Sequence, residues 1–192
     1  MTPRVVHVAL GSNLPSPAGD RLATLAAALE ALEATADVRV GMVSSAWETE
    51  PIGPAQPRYL NAAAELVTSR PIREVLQAAL EVERRLGRDR TREARWGPRT
   101  LDVDIVLAGE SSIDEPGLVV PHPRLLERAF VLAPLCEIAA DARVPPLLST
   151  VRSHWLALAD SLRRSPRDEP GDGLVARIGP IPFRANRSMP AR

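Results

Sequence analysis

Two aspartates, Asp102 and Asp104, are separated by one residue in an otherwise apolar run. Because successive side chains of a β-strand point to opposite faces, a strand here places both carboxylates on one face. The other face is then apolar, with Leu101, Val103, Ile105 and Leu107. Adjacent carboxylates repel each other unless a cation lies between them, and Mg²⁺ binds one or two carboxylates together with phosphate oxygens. The spacing favours a magnesium site, although a solvent-facing strand edge with two ordinary acids also fits it.

The segment before this strand is rich in arginine, with Arg88, Arg90, Arg92, Arg95 and Arg99. Guanidinium groups bind phosphate in a bidentate manner, so the segment suits a polyphosphate bound to the metal. It has no apolar periodicity and is predicted to be an exposed loop. A solvated loop without function and a nucleic-acid-binding patch are the alternatives that the residues leave open.

The composition restricts the classes of function. The chain has 192 residues and no lysine, since all 24 basic residues are arginine. A P-loop, a protein-kinase lysine and a Schiff-base lysine are therefore excluded. The formal net charge is zero, which implies no bulk attraction to nucleic acid or membrane. The single cysteine, Cys136, cannot form an intrachain disulfide.

The sequence contains no signal peptide and no apolar run long enough to cross a bilayer. We therefore expect a cytoplasmic protein without membrane or nucleic-acid partners, and we expect a monomer. Its 192 residues are enough for one domain with a core. We place that domain at residues 1–164. The proline-rich tail at residues 165–192 is predicted to be extended or disordered.

The apolar pattern predicts strand, helix, strand, strand, helix and strand, at residues 4–10, about 17–36, 38–47, 59–68, 72–86 and 101–107. This order is the split β-α-β pattern of ferredoxin-like folds, an α+β class with a βαββαβ core. We expect a mainly antiparallel sheet with helices on one face and a site on the other. Short helical pieces broken by Pro134 should cover residues 125–139, and an extra C-terminal helix residues 148–164.

Five stretches of the chain resemble the 6-hydroxymethyl-7,8-dihydropterin pyrophosphokinase family of folate biosynthesis. They occur in the family's order over roughly the first 160 residues, and they are Ala9–Asn13, Thr49–Gly53, Tyr59–Ala62, Arg95–Ile105 and Val120–Arg124. The resemblance implies a ferredoxin-like enzyme that transfers pyrophosphate from ATP to the hydroxymethyl group of the pterin and releases AMP. It also implies two Mg²⁺ ions, with Asp102 and Asp104 as their ligands.

The resemblance implies roles for further residues. Arg88 and Arg99 join the two aspartates as catalytic groups, and the nucleotide contacts are Glu83, Arg88, Arg90, Arg99, Ile105, His122 and Arg128. The pterin contacts are Thr49, Pro51, Ile52, Gly53, Tyr59, Asn61, Trp96, Asp102 and Phe130. Within that set, Phe130 is expected to stack on the flat ring and Trp96 to close over the site.

Two other functions remain open at this stage. A ferredoxin-like module that binds RNA or a ligand without catalysis would account for the arginines, but such modules stack bases on aromatic residues of the sheet, and this chain has only six aromatics. A nucleotidyl transferase could share the two-carboxylate metal site, but it would release pyrophosphate rather than AMP. The nucleotide product separates these functions.

Overall fold

The computed structural model describes residues 2–91, 93, 96–147, 149–164 and 173–185. Its strands are β1 Arg4–Ser12, β2 Val38–Val43, β3 Ser45–Thr49, β4 Tyr59–Thr68, β5 Asp102–Ala108, β6 Ile113–Glu115, β7 Leu118–Val120, β8 Arg143–Val144, β9 Ser149–Thr150 and β10 Leu174–Pro180. Its helices are α1 Arg21–Glu33, α2 Ile72–Arg85, α3 Ala129–Ala139 and α4 Val151–Arg164, with a 3-10 turn at Leu125–Glu127.

The main sheet is antiparallel throughout, in the order β10-β3-β4-β1-β5, and β2 also pairs with β4. Strand β1 lies between β4 and β5, so that Leu10 pairs with Ala62 on one side and Val103 on the other. The predicted α+β, ferredoxin-like arrangement is confirmed by this topology. The strands predicted at residues 59–68 and 101–107 are the two neighbours of β1.

Helices cover both faces of the sheet. On one face, α1 and α2 pack against Val8, Leu66 and Val103 to form the larger core. On the other face, α3 and α4 pack over Ala63 and Leu107 in a second core. The prediction of helices on one face therefore holds for α1 and α2 only. The apolar α3 covers part of the face expected to be open, and the candidate site occupies the part that α3 leaves uncovered.

An irregularity in β5 changes which face Leu107 occupies. His7 pairs with Leu107 and Val8 pairs with Ile105, so Val106 is an extra residue in β5 without a partner in this register. Such a bulge inverts the alternation of the residues that follow it. Leu107 consequently packs in the second core instead of joining Leu101, Val103 and Ile105. The sequence prediction was wrong for Leu107, while Asp102 and Asp104 precede the bulge and keep their common face.

The single strand predicted over residues 38–47 is divided into β2 and β3 at Ser44. Both parts pair with β4, and Ser44 bridges the gap with its own side chain. Its Oγ accepts a hydrogen bond from the backbone N–H of Ala63 at 2.9 Å and donates to the Ser45 carbonyl at 2.8 Å. The Ser44 hydroxyl thus takes the place of a backbone carbonyl as the acceptor for the Ala63 N–H. The alternation of apolar residues in the sequence could not predict this substitution.

The helices differ from the sequence predictions in three respects, namely where α1 begins, the continuity of α3 through Pro134, and where α4 begins. The first helix begins at Arg21 instead of residue 17, because the Asp20 side chain caps it by accepting from Ala23 N at 2.9 Å. Pro134 lies inside α3, whose packing against β4 and α4 compensates for the missing hydrogen bond. The chain is extended at Arg128, just before α3. The last helix, α4, starts at Val151 rather than at residue 148.

Part of the C-terminal tail belongs to the sheet. Residues 165–172 and 186–192 lie outside the described residues, whereas β10 pairs with β3 and forms one edge of the sheet. Ile181 follows it and is buried in the larger core. No helix among the described residues is both long and apolar enough to cross a membrane.

We predict that Ser44→Ala lowers the free energy of unfolding by about 1–3 kcal/mol, because it leaves the buried N–H of Ala63 without an acceptor. Ser44 is 2% exposed, so water cannot replace the hydroxyl without rearrangement. Urea denaturation of the variant and of wild type measures the difference. The exposed Ser111→Ala is the matched control and should change stability by less than about 0.5 kcal/mol. Equal stability of the two variants would contradict the role given to Ser44.

Candidate active site

A cavity opens on the α3 face of the sheet. Strands β1, β4 and β5 form its floor, the start of α3 forms one wall, and the loop after β3 forms another. Its lining residues are Ala9, Leu10, Gly11, Thr49, Glu50, Ile52, Tyr59, Asn61, Trp96, Arg99, Asp102, Asp104, Arg128, Phe130 and Val131. Asp102 and Asp104 of β5 make one end acidic, and Asn61 of β4 with Thr49 of β3 lies at the other end, across β1.

The acidic end contains the two aspartates of β5, in unequal environments. Arg88 and Arg99 both bind Asp102, with Arg99 Nη1 at 2.9 Å from Oδ2. Burial opposes ionisation of Asp102, but these two positive charges lower its pKa. Burial, and then the charge of Asp102, raises the pKa of Asp104 to about 7. The pair is therefore short of positive charge at Asp104, as expected where a cation would bind.

Glu83, at the end of α2, is buried beneath this acidic end. Its Oε1 accepts from Arg88 Nη1 and from the backbone N–H of Val103, both at 2.8 Å. Its Oε2 accepts from Arg90 Nη2 at 2.7 Å. The carboxylate is 1% exposed and fully occupied by these protein donors. In this arrangement Glu83 holds Arg88 and Arg90 in position rather than facing the cavity.

Arg88 is the buried centre of this network. Besides Glu83 and Asp102, its Nε donates to Glu93 at 3.1 Å, and its side chain is only 5% exposed. Arg90 is half exposed and can reach solvent. Residues 92, 94 and 95 lie outside the described residues, so Arg92 and Arg95 have no structural account here.

His122 and Arg128 approach the acidic end from the opposite side. His122 Nε2 is 4.0 Å from Asp104 Oδ2, and its Nδ1 accepts from the backbone N–H of Arg124 at 3.1 Å. Burial, followed by the charge of Arg128, lowers the pKa of His122 to about 4. The ring is therefore neutral at pH 7, with its proton on Nε2. Arg128 lines the cavity and lies 5.4 Å from the ring centre of Phe130.

The opposite end of the cavity is built by Asn61, Thr49 and Gly11. Asn61 Nδ2 donates to Thr49 Oγ1 at 2.7 Å, which fixes the amide so that its remaining polar positions can bind a ligand. A Cβ at Gly11 would lie 2.9 Å from Asn61 Oδ1. Glycine is thus required for Asn61 to approach β1 this closely. Tyr59 lies nearby and donates from its hydroxyl to the Gly97 carbonyl at 3.2 Å.

Ten of the residues predicted to form the site line the cavity: Thr49, Ile52, Tyr59, Asn61, Trp96, Arg99, Asp102, Asp104, Arg128 and Phe130. Pro51 and Gly53 belong to the adjacent loop, where Gly53 lies against Trp96. The Ile105 side chain points into the larger core, so only its backbone could contact a nucleotide. Glu83, Arg88, Arg90 and His122 form the surrounding network.

Asn13 was missed as a site residue. Its Nδ2 donates to Gln56 Oε1 and to the Pro57 carbonyl, both at 3.0 Å, and its Oδ1 accepts from Arg99 N at 2.7 Å. It thereby joins the turn after β1 to the proline-rich loop between β3 and β4, at residues 50–58, and to the arginine-rich loop before β5. An asparagine directly after a strand, in Gly11–Asn13, was the only local signal. Its partners are more than 40 residues away.

The cavity contains a pair of acids that could bind a metal, with arginines around it. Among the described residues, no group of three or more His, Cys, Asp and Glu side chains is arranged to hold a metal without further ligands. Oxygens of a bound phosphate would complete the coordination of an ion held by two carboxylates. These features define a class, namely a ferredoxin-like enzyme that transfers phosphate-containing groups.

Comparisons with known proteins specify the family. The model for 7,8-dihydro-6-hydroxymethylpterin-pyrophosphokinase matches residues 7–140. The 2-amino-4-hydroxy-6-hydroxymethyldihydropteridine pyrophosphokinase of Bacillus subtilis is 47% identical over 135 residues, which are 70% of this chain and 77% of that protein. The enzyme of the same name from Pseudomonas aeruginosa is 45% identical over 141 residues, which are 73% of this chain and 83% of that protein. The chain belongs to this family and is a pyrophosphokinase of folate biosynthesis.

The solved structure of Plasmodium falciparum HPPK-DHPS, wild type with pteroate, has a similar fold. It superposes with a TM-score of 0.65 at 12% identity, over 85% of this chain and 46% of that one. The chain thus spans less than half of this solved protein, and the likeness concerns the fold alone.

We predict that Asn13→Ala loosens the contact between the two loops and lowers the free energy of unfolding by about 1–3 kcal/mol. The Arg99 amide loses its side-chain acceptor, so its hydrogen exchange should become faster. Exchange monitored by NMR or mass spectrometry, together with urea denaturation, measures both effects. Gln77→Ala, at an exposed position of α2, is the control. Unchanged exchange at Arg99 would show that Asn13 does not hold this loop.

Proposed function

We propose that this pyrophosphokinase uses the cavity to bring ATP and 6-hydroxymethyl-7,8-dihydropterin together. The pterin hydroxymethyl oxygen attacks the β-phosphorus of ATP and loses its proton to solvent, the bond from that phosphorus to the oxygen bridging the α-phosphate breaks, and AMP leaves. The observation that carries the assignment is that one cavity is lined by the Asp102–Asp104 pair together with the Asn61 amide and the Phe130 ring. The acidic end suits the metal-bound triphosphate, and the aromatic end suits the flat heterocycle.

Asp102 and Asp104 would hold Mg²⁺, and we propose two ions. Both carboxylates lie on one face of β5, both are hard oxygen donors, and burial beside Asp102 raises the pKa of Asp104 to about 7. These properties fit a divalent cation. When bound, Mg²⁺ neutralises phosphate charge and favours attack at phosphorus. Arg88 and Arg99 hold Asp102 in its orientation by ion pairs.

Arginines would bind the triphosphate. Arg99 and Arg128 line the cavity and can present their guanidinium groups to phosphate oxygens directly. Arg90 is held by Glu83 but is half exposed, which suits an outer phosphate contact. The neutral His122 can donate one hydrogen bond from Nε2. The protein therefore contributes orientation and charge stabilisation to the transfer, without a covalent intermediate.

The pterin would bind against Asn61 and Phe130. A pterin ring carries hydrogen-bond donors and acceptors on its edges and has flat faces. The Asn61 amide, fixed by Thr49, can read a ring edge, and the Phe130 ring can stack on a face. Ile52, Tyr59 and Trp96 line the same cavity, and loop residues Pro51 and Gly53 adjoin it. Asp102 and Asn61 both pair with Gly11, from opposite sides of β1, so Asp102 could contact either substrate.

The identity of the nucleotide product tests this function. Purified protein incubated with Mg²⁺, ATP and the hydroxymethyl pterin should form AMP and the pterin pyrophosphate in equal amounts, as measured by ion-pair chromatography. ADP as product would indicate transfer of one phosphoryl group, and free pyrophosphate would indicate nucleotidyl transfer. Either result, or no turnover, would overturn the proposal.

We predict that Asp104→Ala lowers kcat by about 10²–10³-fold or more, because the metal loses one of its two protein ligands. The variant should also lose the Mg²⁺-dependent part of its ATP affinity and keep the metal-independent part. Calorimetric titration of ATP with and without Mg²⁺ separates the two. Asp114→Ala, at an exposed position of β6, is the control and should retain wild-type rate. Wild-type turnover by Asp104→Ala would exclude Asp104 as a metal ligand.

A further inference from the structure

The C-terminal strand β10 lies outside the part of the chain that matches the family model, which ends at residue 140. It nevertheless pairs with β3 from Leu174, opposite Thr49, to Pro180, opposite Ser45. The segment after β10 is also anchored, since Ile181 is 7% exposed in the larger core and Phe183 packs against that core. The tail therefore includes a docked element of the sheet.

This strand reaches the pterin end of the cavity directly. The carbonyl of Gly173, just before β10, accepts a hydrogen bond from the backbone N–H of Glu50 at 3.0 Å. Glu50 and its neighbour Thr49 both line the cavity, and Thr49 fixes the Asn61 amide. The start of β10 thus holds the backbone at the point where β3 becomes a wall of the cavity.

A second connection runs through Glu137, near the end of α3. Arg177 of β10 donates from Nε to Glu137 Oε1 at 2.9 Å. The same carboxylate accepts from Trp47 Nε1 at 2.9 Å and from Ser45 N at 2.8 Å, both on β3. Glu137 therefore joins β3, β10 and α3, the helix that begins next to Arg128 and presents Phe130 to the cavity.

We propose that β10 is a positioning element for the pterin, with Arg177 as its principal side chain. It fixes the two elements, β3 and α3, whose residues build the pterin wall. The phosphate end stands on β5, at the opposite edge of the sheet from β10, with β3, β4 and β1 between them. Disturbing β10 should therefore weaken pterin binding more than nucleotide binding. This role rests on the proposed function of the cavity.

The test compares Arg177→Glu with Arg163→Glu in the full-length protein. Both replace an exposed arginine by glutamate, so they change the net charge equally, but Arg163 lies on α4. Arg177→Glu places a negative charge against Glu137 and should separate β10 from it. Arg177→Lys restores a cation at this position and serves as the conservative rescue.

Two readouts are needed. Hydrogen exchange of the segment containing residues 45–50 should become faster in Arg177→Glu and stay unchanged in the other two variants. Calorimetry should give about three- to tenfold weaker binding of the uncharged pterin, in the presence of a non-hydrolysable ATP analogue and Mg²⁺. The affinity for the analogue alone should stay within about twofold of wild type.

Each remaining outcome decides against the proposal. Faster exchange with unchanged pterin affinity would make β10 a structural edge strand only. An equal loss of pterin and nucleotide affinity would indicate general destabilisation, and the same loss in Arg163→Glu would indicate an effect of net charge. If the wild-type chain binds no pterin, the proposed function fails and this role fails with it. If wild type binds pterin and Arg177→Glu binds it equally well, only the role of β10 fails.

Discussion

The buried ion network around Glu83, Arg88 and Asp102 is the constraint on which the acidic end depends. Removing ions from water costs several kcal/mol each, and only complete pairing compensates for that cost. Glu83 meets this condition by accepting from Arg88, Arg90 and the Val103 amide. The network joins the end of α2, the arginine-rich loop and β5. It therefore sets where the two aspartates stand relative to the surrounding arginines.

Arginine rather than lysine makes this arrangement possible. Arg88 contacts three carboxylates, those of Glu83, Glu93 and Asp102, from one planar group. A lysine ammonium is a compact charge with three donors and lacks a fork that matches carboxylate geometry. The absence of lysine from the sequence thus agrees with a site in which guanidinium groups position carboxylates.

The sequence was informative wherever the signal was local. Alternation over a few residues placed Asp102 and Asp104 on one face, and the apolar run at residues 59–68 gave β4 with its bounds. Other features depend on partners that are distant in the chain. They are the bulge at Val106, the contacts of Asn13 with two loops, and the pairing of β10 with β3. Such contacts leave no periodicity, so a single sequence could not reveal them. The position of α3 on the face of the sheet that carries the cavity likewise depends on contacts between residues distant in the chain.

The two ends of the cavity rest on different parts of the sheet, and this has a consequence for how the site is maintained. The acidic end depends on ionic contacts around β5, whereas the end that contains Asn61 depends on hydrogen bonds that join β4, β3 and α3. Asn13 connects the two, because its amide binds both the loop at residues 50–58 and the backbone of Arg99, whose side chain binds Asp102. Its 2% exposure keeps water from competing for these bonds. Asn13 thereby fixes the two loops that border the cavity relative to each other.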